Sequence, residues 1–357
     1  MALNQLEAFK ATVNHEQHND TLFYANFTKD LENRVRRSLG IDESTDLAEY
    51  FGMYRPVGVA LKQPPSYRKP DYRKYFEDIN VPQNAFINHL GVLEIPGSSY
   101  HFTRYVSPLR NADSISDLED FEYPNVDNFT EDRMKAEVEN IHKRNMVAGS
   151  HITHMYEDSW QIRGYEPFLM DMISEPEMCE YILDRICDRN IKKAEAAARA
   201  GVDVIFTGDD VANQRTLMFS IDMWRRFMKS RWVKVYEAAR RIKSDIQIWY
   251  HSDGCIEEII PELIEIGVTI LNPVQPECMD PVKIKNLYGK RIVIDGTIGT
   301  QTTMPFGSTN DVKNNVRNMK EKLGYDGALI LSPTHVLEPE VPLENIAAFI
   351  EECRNPV

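Results

Sequence analysis

The chain has 357 residues, 42% of them hydrophobic and 27% charged. That balance excludes wholesale disorder and describes a chain with a core large enough to need no disulfides or structural metal. Asp and Glu outnumber Lys and Arg by 55 to 41, a net charge of −14, which argues against a sequence-independent grip on nucleic-acid phosphates and against docking on an anionic membrane.

Residues 1–50 read as a helical N-terminal extension, with KDLENRVRRSLG as an amphipathic helix and Gly40 as its stop. The opening residues lack a basic region followed by an apolar one, and no apolar run approaches the roughly 18 residues a membrane helix needs. Residues 51–130 are rich in Pro, Tyr, Gly and Asn, with short apolar runs, VGVAL around residue 58 and LGVLEI at 90–95, that predict strands between long connections. An acidic stretch ending at Tyr123-Pro124 predicts a surface loop feeding a helix over 130–144.

From about residue 145 a rhythm sets in. Apolar runs at 146–151, 202–208, 246–251, 268–273, 291–296 and 328–333 alternate with amphipathic stretches such as EMCEYILDRICDRNIKKAEAAARA and IDMWRRFMKSRWVKVYEAARRI. Continuous apolar strands separated by helices mean a parallel sheet covered on both faces. With the runs near 58 and 91, about eight such units fit. The expected fold is therefore α/β, a (β/α)8 TIM barrel over 51–357 as a single catalytic domain with extra N-terminal helices. Five scattered cysteines, Cys179, Cys187, Cys255, Cys278 and Cys353, read as reduced thiols and point to the cytoplasm. No CxxC, Walker loop, GxGxxG or GxSxG occurs, so mononucleotide, dinucleotide and serine-hydrolase chemistry lose their usual support.

Chemistry in such a barrel sits at the C-terminal strand ends. The residues following each run are Ser150, His151 and His154; Asp209 and Asp210; His251, Asp253 and Cys255; Gln275, Glu277, Cys278 and Asp280; Asp295, Thr297 and Gln301; Thr334 and His335. Imidazole, thiolate and carboxylate converging from different strands is one way to build a catalytic zinc site. Taken singly, each residue has a plainer reading: the cysteines as small core residues, the histidines as satisfied polar groups, the aspartates as helix caps.

The segments VDVIFTGDDVANQ, WYHSDGCIEEIIPELIEIGVTILNPVQPECMDP, LYGKRIVIDGTIGTQTTMPFG and ALILSPTHVLEPEVPLENI resemble the uroporphyrinogen decarboxylase superfamily. The likeness is to its diverged branch of methylcobalamin:coenzyme M methyltransferases and methyltransferase components of corrinoid-dependent O-demethylases. It covers roughly residues 145–350, and YVSPLRNADSISDLEDFEYPNVDN resembles a further segment of the branch. The haem-pathway decarboxylase carries paired arginines for its many-carboxylate substrate. Here Tyr54-Arg55-Pro56 has no second arginine close by, which demotes that activity. The branch binds zinc through a His-x-Cys pair and a distant Cys. His251 matches the His, Asp253 stands at the Cys of the pair, and His335 lies where the distant Cys belongs, so that His251, Asp253, Cys278 and His335 form the implied ligand set.

Such a set is harder than a thiolate-rich one and suits an ether or phenolate oxygen better than a substrate thiol. The resemblance thus implies a zinc-dependent methyltransferase. It would move the methyl group of a methoxylated small molecule, an aryl methyl ether, to the Co(I) cobalamin (corrinoid) of a separate partner protein, since no corrinoid-binding Asp-x-His-x-x-Gly segment is present. In this reading Asp209, Asp210 and His151 carry catalysis, and His154, Tyr156, Trp249 and Gln275 hold the substrate. The alternatives are a metal-assisted decarboxylase of a smaller acid and a non-catalytic corrinoid or tetrapyrrole carrier. A homodimer is left open.

Overall fold

The computed structural model describes residues 3–97 and 103–355. Eight short parallel strands form one sheet. They are β1 (Leu22–Phe23), β2 (Val57–Gly58), β6 (Ala148–Thr153), β7 (Val204–Gly208), β8 (Gln247–His251), β9 (Ile270–Asn272), β10 (Val293–Asp295) and β11 (Leu329–Leu331), in the spatial order β1-β11-β10-β9-β8-β7-β6-β2. The two end strands are not laddered to each other, but the Tyr54 N–H just before β2 donates to the Phe23 carbonyl in β1 at 2.8 Å. The sheet therefore comes round on itself as a (β/α)8 barrel.

Inside the barrel, Leu22, Tyr54, Val147, Val204, Ile270, Val293, Ala328 and Ile330 form their own apolar cluster. The bottom is stoppered by Ala8 and Phe9 of the helix Gln5–Val13, with Phe9 stacked on Tyr54 at 5.9 Å. The much larger second cluster lies between sheet and helices. The longest helix, Pro176–Ala200, begins on proline and stops at Gly201 in the left-handed region. The helix Lys29–Leu39 stops at Gly40, also left-handed, as the sequence predicts.

Two expectations are corrected. The first barrel strand, β1, lies within residues 1–50, which are therefore not a purely helical extension ahead of a barrel starting at 51. The run at 90–95 supplies no barrel strand: Leu93–Pro96 (β4) is the middle of a small antiparallel sheet with β3 (Phe86–Ile87) and β5 (Thr103–Val106), carried on the excursion between β2 and β6. The strand count of eight stands because one error replaces the other. A two-residue strand has too little pattern to show a period, whereas a hairpin strand with one buried face carries as much apolar signal as a barrel strand.

Strand register places the site. Gly208 pairs with His251, and His251 with Asn272, at the C-terminal edge of the sheet. Two residues back, His151, Phe206, Trp249 and Ile270 form the layer beneath. Period-two alternation then puts Trp249 and His251 on the same face. Their rings stack at 5.6 Å, nearly parallel. Gly208 is required here: a Cβ on it would lie 2.3 Å from the His251 carbonyl oxygen, and its φ of +145° disfavours any other residue.

Candidate active site

The mouth of the barrel opens into a cavity of about 410 Å³. Its walls include Tyr24, Tyr54, Phe206 and Trp249, with His151, His251, Asp295 and His335 among the polar lining groups. A second cleft of about 340 Å³, lined by Asp253, Gln275, Gln301 and Glu338 among others, shares His335 with the first. The polar cluster lies where the two meet.

One ligand atom each from Asp210, His251 and Asp253 lie within 4.8 Å of one another. His251 Nε2 is 3.7 Å from Asp210 Oδ1, and His335 Nε2 is 4.0 Å from Asp253 Oδ2. The backbone braces the group, since the Asp253 N–H donates to Asp210 Oδ1 at 2.8 Å and the Gly254 N–H to Gln275 Oε1 at 3.2 Å. Zinc bonds of about 2.0–2.1 Å in a tetrahedron set ligand atoms about 3.4 Å apart. The two imidazole–carboxylate spacings lie a few tenths of an ångström beyond that, and an oxygen and nitrogen donor set of this kind fits a divalent cation of zinc's hardness.

His251 is held in one tautomer and one orientation by a directional chain. Its Nδ1–H donates to Asn272 Oδ1 at 2.8 Å, leaving the Nε2 lone pair toward Asp210. Asn272 Nδ2 donates to the Tyr24 hydroxyl at 3.1 Å, and Tyr24 donates to Asp295 Oδ2 at 3.2 Å. Asp295, wholly buried, also accepts from Trp249 Nε1 at 2.7 Å and from the Ser332 hydroxyl at 3.3 Å. Burial pushes its carboxyl up to about 6, held down by those donors. Because the Tyr24 hydroxyl proton goes to the Asp295 carboxylate, the Tyr24 oxygen accepts from Asn272 Nδ2, which turns Asn272 Oδ1 toward His251.

Not every predicted residue joins this group. Asp210, proposed as catalytic, stands in the cluster in place of Cys278, proposed as a ligand. Cys278 lies six residues past the end of β9, in a turn where its N–H and that of Met279 both donate to the Gln275 carbonyl. Burial and the neighbouring Glu277 push its thiol up. Asp209 is buried beneath the site. Its Oδ1 accepts from the N–H groups of Met155, Tyr156 and Glu157 at 2.7, 2.6 and 3.2 Å, and its Oδ2 from Trp232 Nε1 at 3.1 Å. It caps the helix Tyr156–Arg163, an N-cap as the plainer reading has it, but for the preceding unit instead of its own.

Tyr156, expected to bind substrate, is wholly buried between Phe168 and Phe219 and does not line the cavity. His154 braces structure, with Nδ1 2.7 Å from both the Gly208 carbonyl and Glu157 Oε2. His151 stacks on Phe206 at 4.8 Å inside the cavity, Trp249 lines it, and Gln275 anchors the Asp253 loop.

Sequence reasoning passed over Tyr24 and Asn272. Tyr24 follows a strand too short to announce itself. Asn272 ends an apolar run and is read as its terminator, although the position facing His251 is fixed by register.

A family model described as uroporphyrinogen decarboxylase (URO-D) matches residues 147–356. The chain is 27% identical over 184 residues to the methylcobamide:CoM methyltransferase MtaA of Methanosarcina barkeri, and 24% identical over 184 residues to that of M. barkeri strain Fusaro. These alignments take in 51% of this chain and 50% of each relative, so the chain spans about half the length of the curated relatives it matches. A solved structure, a methyltransferase from Methanosarcina mazei, superposes with a TM-score of 0.68 at 18% identity, over 99% of this chain and 98% of that one. The fold agreement runs the whole length, whereas the family match begins at the strand leading into His151 and takes in His251, Asp253 and His335. On that match the chain belongs to the uroporphyrinogen decarboxylase (URO-D) family.

Proposed function

We propose that this chain is a metal-dependent methyltransferase that moves the methyl group of an aryl methyl ether to the Co(I) corrinoid of a separate partner protein. The observation that carries this reading is the Asp210–His251–Asp253 cluster, with His335 beside it, at the rim of an aromatic-walled cavity.

An aryl ether resists demethylation because phenolate leaves poorly. A zinc ion on these residues would supply Lewis acidity toward the charge that develops on the leaving oxygen. The chain's own contribution is placement. Phe206 and Trp249 meet edge to face at 5.2 Å and wall the cavity against water. The Asn272–Tyr24–Asp295 chain holds the His251 Nε2 lone pair in place before any ligand arrives, so that no reorganisation is required later. His151, on β6 two strands away from His251, lines the cavity and would meet a ring substituent. The methyl acceptor in this reading is the Co(I) corrinoid of the partner protein, which carries the hard chemistry.

The decarboxylase alternative is less well served. Arg55 is the only Lys or Arg lining either cavity among the described residues, and it is paired with Asp46. The test is direct. Purified chain, a Co(I) corrinoid protein and a panel of methoxylated arenes should give the cobalt alkylation spectrum. Demethylation in the absence of the corrinoid protein would reject the reading.

A further inference from the structure

The residues around the cavity carry an uneven charge. Asp295 lines it directly, and Asp210 and Asp253 stand at its rim. Three carboxylates against one divalent cation leave the mouth net negative. The neighbouring cleft adds Glu338 and Glu340 and no Lys or Arg. The one guanidinium, Arg55, is ion-paired through NH2 to Asp46 Oδ2. Asp46 in turn is fixed in place as the N-cap of the helix Leu47–Tyr50, its Oδ1 accepting from the Ala48 and Glu49 N–H groups at 2.9 and 3.3 Å. One carboxylate therefore does two jobs: one oxygen caps the helix and the other pairs with Arg55, the one Lys or Arg lining the cavity among the described residues, whose side chain is 58% exposed.

We propose that the Asp46–Arg55 pair is a specificity device that makes the cavity select methyl donors without a negative charge, an uncharged methoxyarene in preference to a methoxybenzoate. The inference rests on the methoxyarene reading above and deepens it. Beyond the metal itself, a carboxylate-bearing ring would meet Asp295 and the rim carboxylates with no unpaired Lys or Arg among the described residues that line the cavity, and like charges at a partly enclosed mouth repel. The same carboxylate would find a fork-shaped partner if Arg55 were released.

The test compares two rings of the same shape, 4-methoxybenzamide and 4-methoxybenzoate, by calorimetry on the full metal-loaded chain, with the quenching of Trp249 as a second readout. The wild type should bind the amide at least about tenfold more tightly than the acid. Asp46→Asn keeps the capping oxygen, because asparagine caps as well as aspartate, but removes the charge that occupies Arg55. It should shift the ratio of the two affinities about tenfold toward the acid, and Asp46→Asn with Arg55→Gln should return it. The ratio is the readout, so that any folding loss common to both ligands cancels. Equal binding of acid and amide by the wild type, or an unchanged ratio in Asp46→Asn, would overturn this inference and leave the methoxyarene reading standing. Binding of neither ring would remove that reading and this one together.

Discussion

At the scale of single residues, the site is decided by which atom already has a partner. His251 offers Nε2 because Nδ1 is spent on Asn272, and Asn272 is oriented because its other end is spent on Tyr24. Removing the acceptor should therefore weaken metal binding without touching a ligand. Asn272→Leu is expected to lower zinc affinity by about 10–100-fold in competition titrations with a chelator, whereas Asn272→Asp, which keeps an oxygen for Nδ1–H, should stay close to the wild type. Equal losses in both would show that the Nδ2 donation to Tyr24, which both variants lose, and not the oxygen facing Nδ1–H is what Asn272 contributes.

His154 makes a different prediction. Burial alone would lower its pKa, but the Glu157 carboxylate bonded to it, with Asp209 and Asp158 nearby, lifts it to about 10 from an ordinary 6.5. A histidine raised on folding stabilises fully below its unfolded pKa, and that stabilisation fades as pH climbs from about 6.5 through about 10. Urea midpoints of the wild type and His154→Gln should differ most near pH 6 and converge near pH 10. A difference that grows with pH would contradict the ion pair.

At the scale of elements, what was readable depended on how much pattern an element carries. The six runs from 146 onward each become a parallel strand. The carboxyl end of β8 places His251 where the periodicity puts it, because a strand of five residues bounded by polar groups repeats its alternation twice. Asp253 and His335 were legible for the same reason: they follow strands whose ends are plain. The sequence reading could not see β1, since Leu22–Phe23 is only two residues long and owes its strand character to β11 beside it and to Tyr54 across the closure. With β1 went Tyr24, and with Tyr24 the logic of Asn272. Cys278 is not brought into the three-residue group, because distance along a loop does not fix where a side chain comes to lie. Asp209 caps a helix one unit earlier, which its place directly after a strand does not announce.

The barrel stopper is also an element-scale matter. Phe9 is fully buried and stacks on the tyrosine whose backbone closes the sheet. Phe9→Ala should cost about 3–5 kcal/mol in chemical denaturation, while Leu39→Ala on an exposed helix face should cost little.

At the scale of the whole molecule, the chain supplies a scaffold and a set of donors. Among the described residues no helix is long and apolar enough to cross a membrane. The eight strands converge on one mouth, the stopper closes the other end, and His151, Trp249, His251 and His335 line the cavity at the open side. This is the division expected of a parallel barrel, in which the bottom serves stability and the top serves chemistry.

The proposal depends on the Asp210–His251–Asp253 group acting together on a cation. The most direct test is the metal content of the purified chain by plasma emission spectrometry, for the wild type and for His251→Ala. The account predicts about one equivalent of divalent metal in the wild type and its loss in a variant that remains folded by circular dichroism. A wild type without stoichiometric metal after zinc loading, or a His251→Ala protein that keeps its full equivalent, would contradict it.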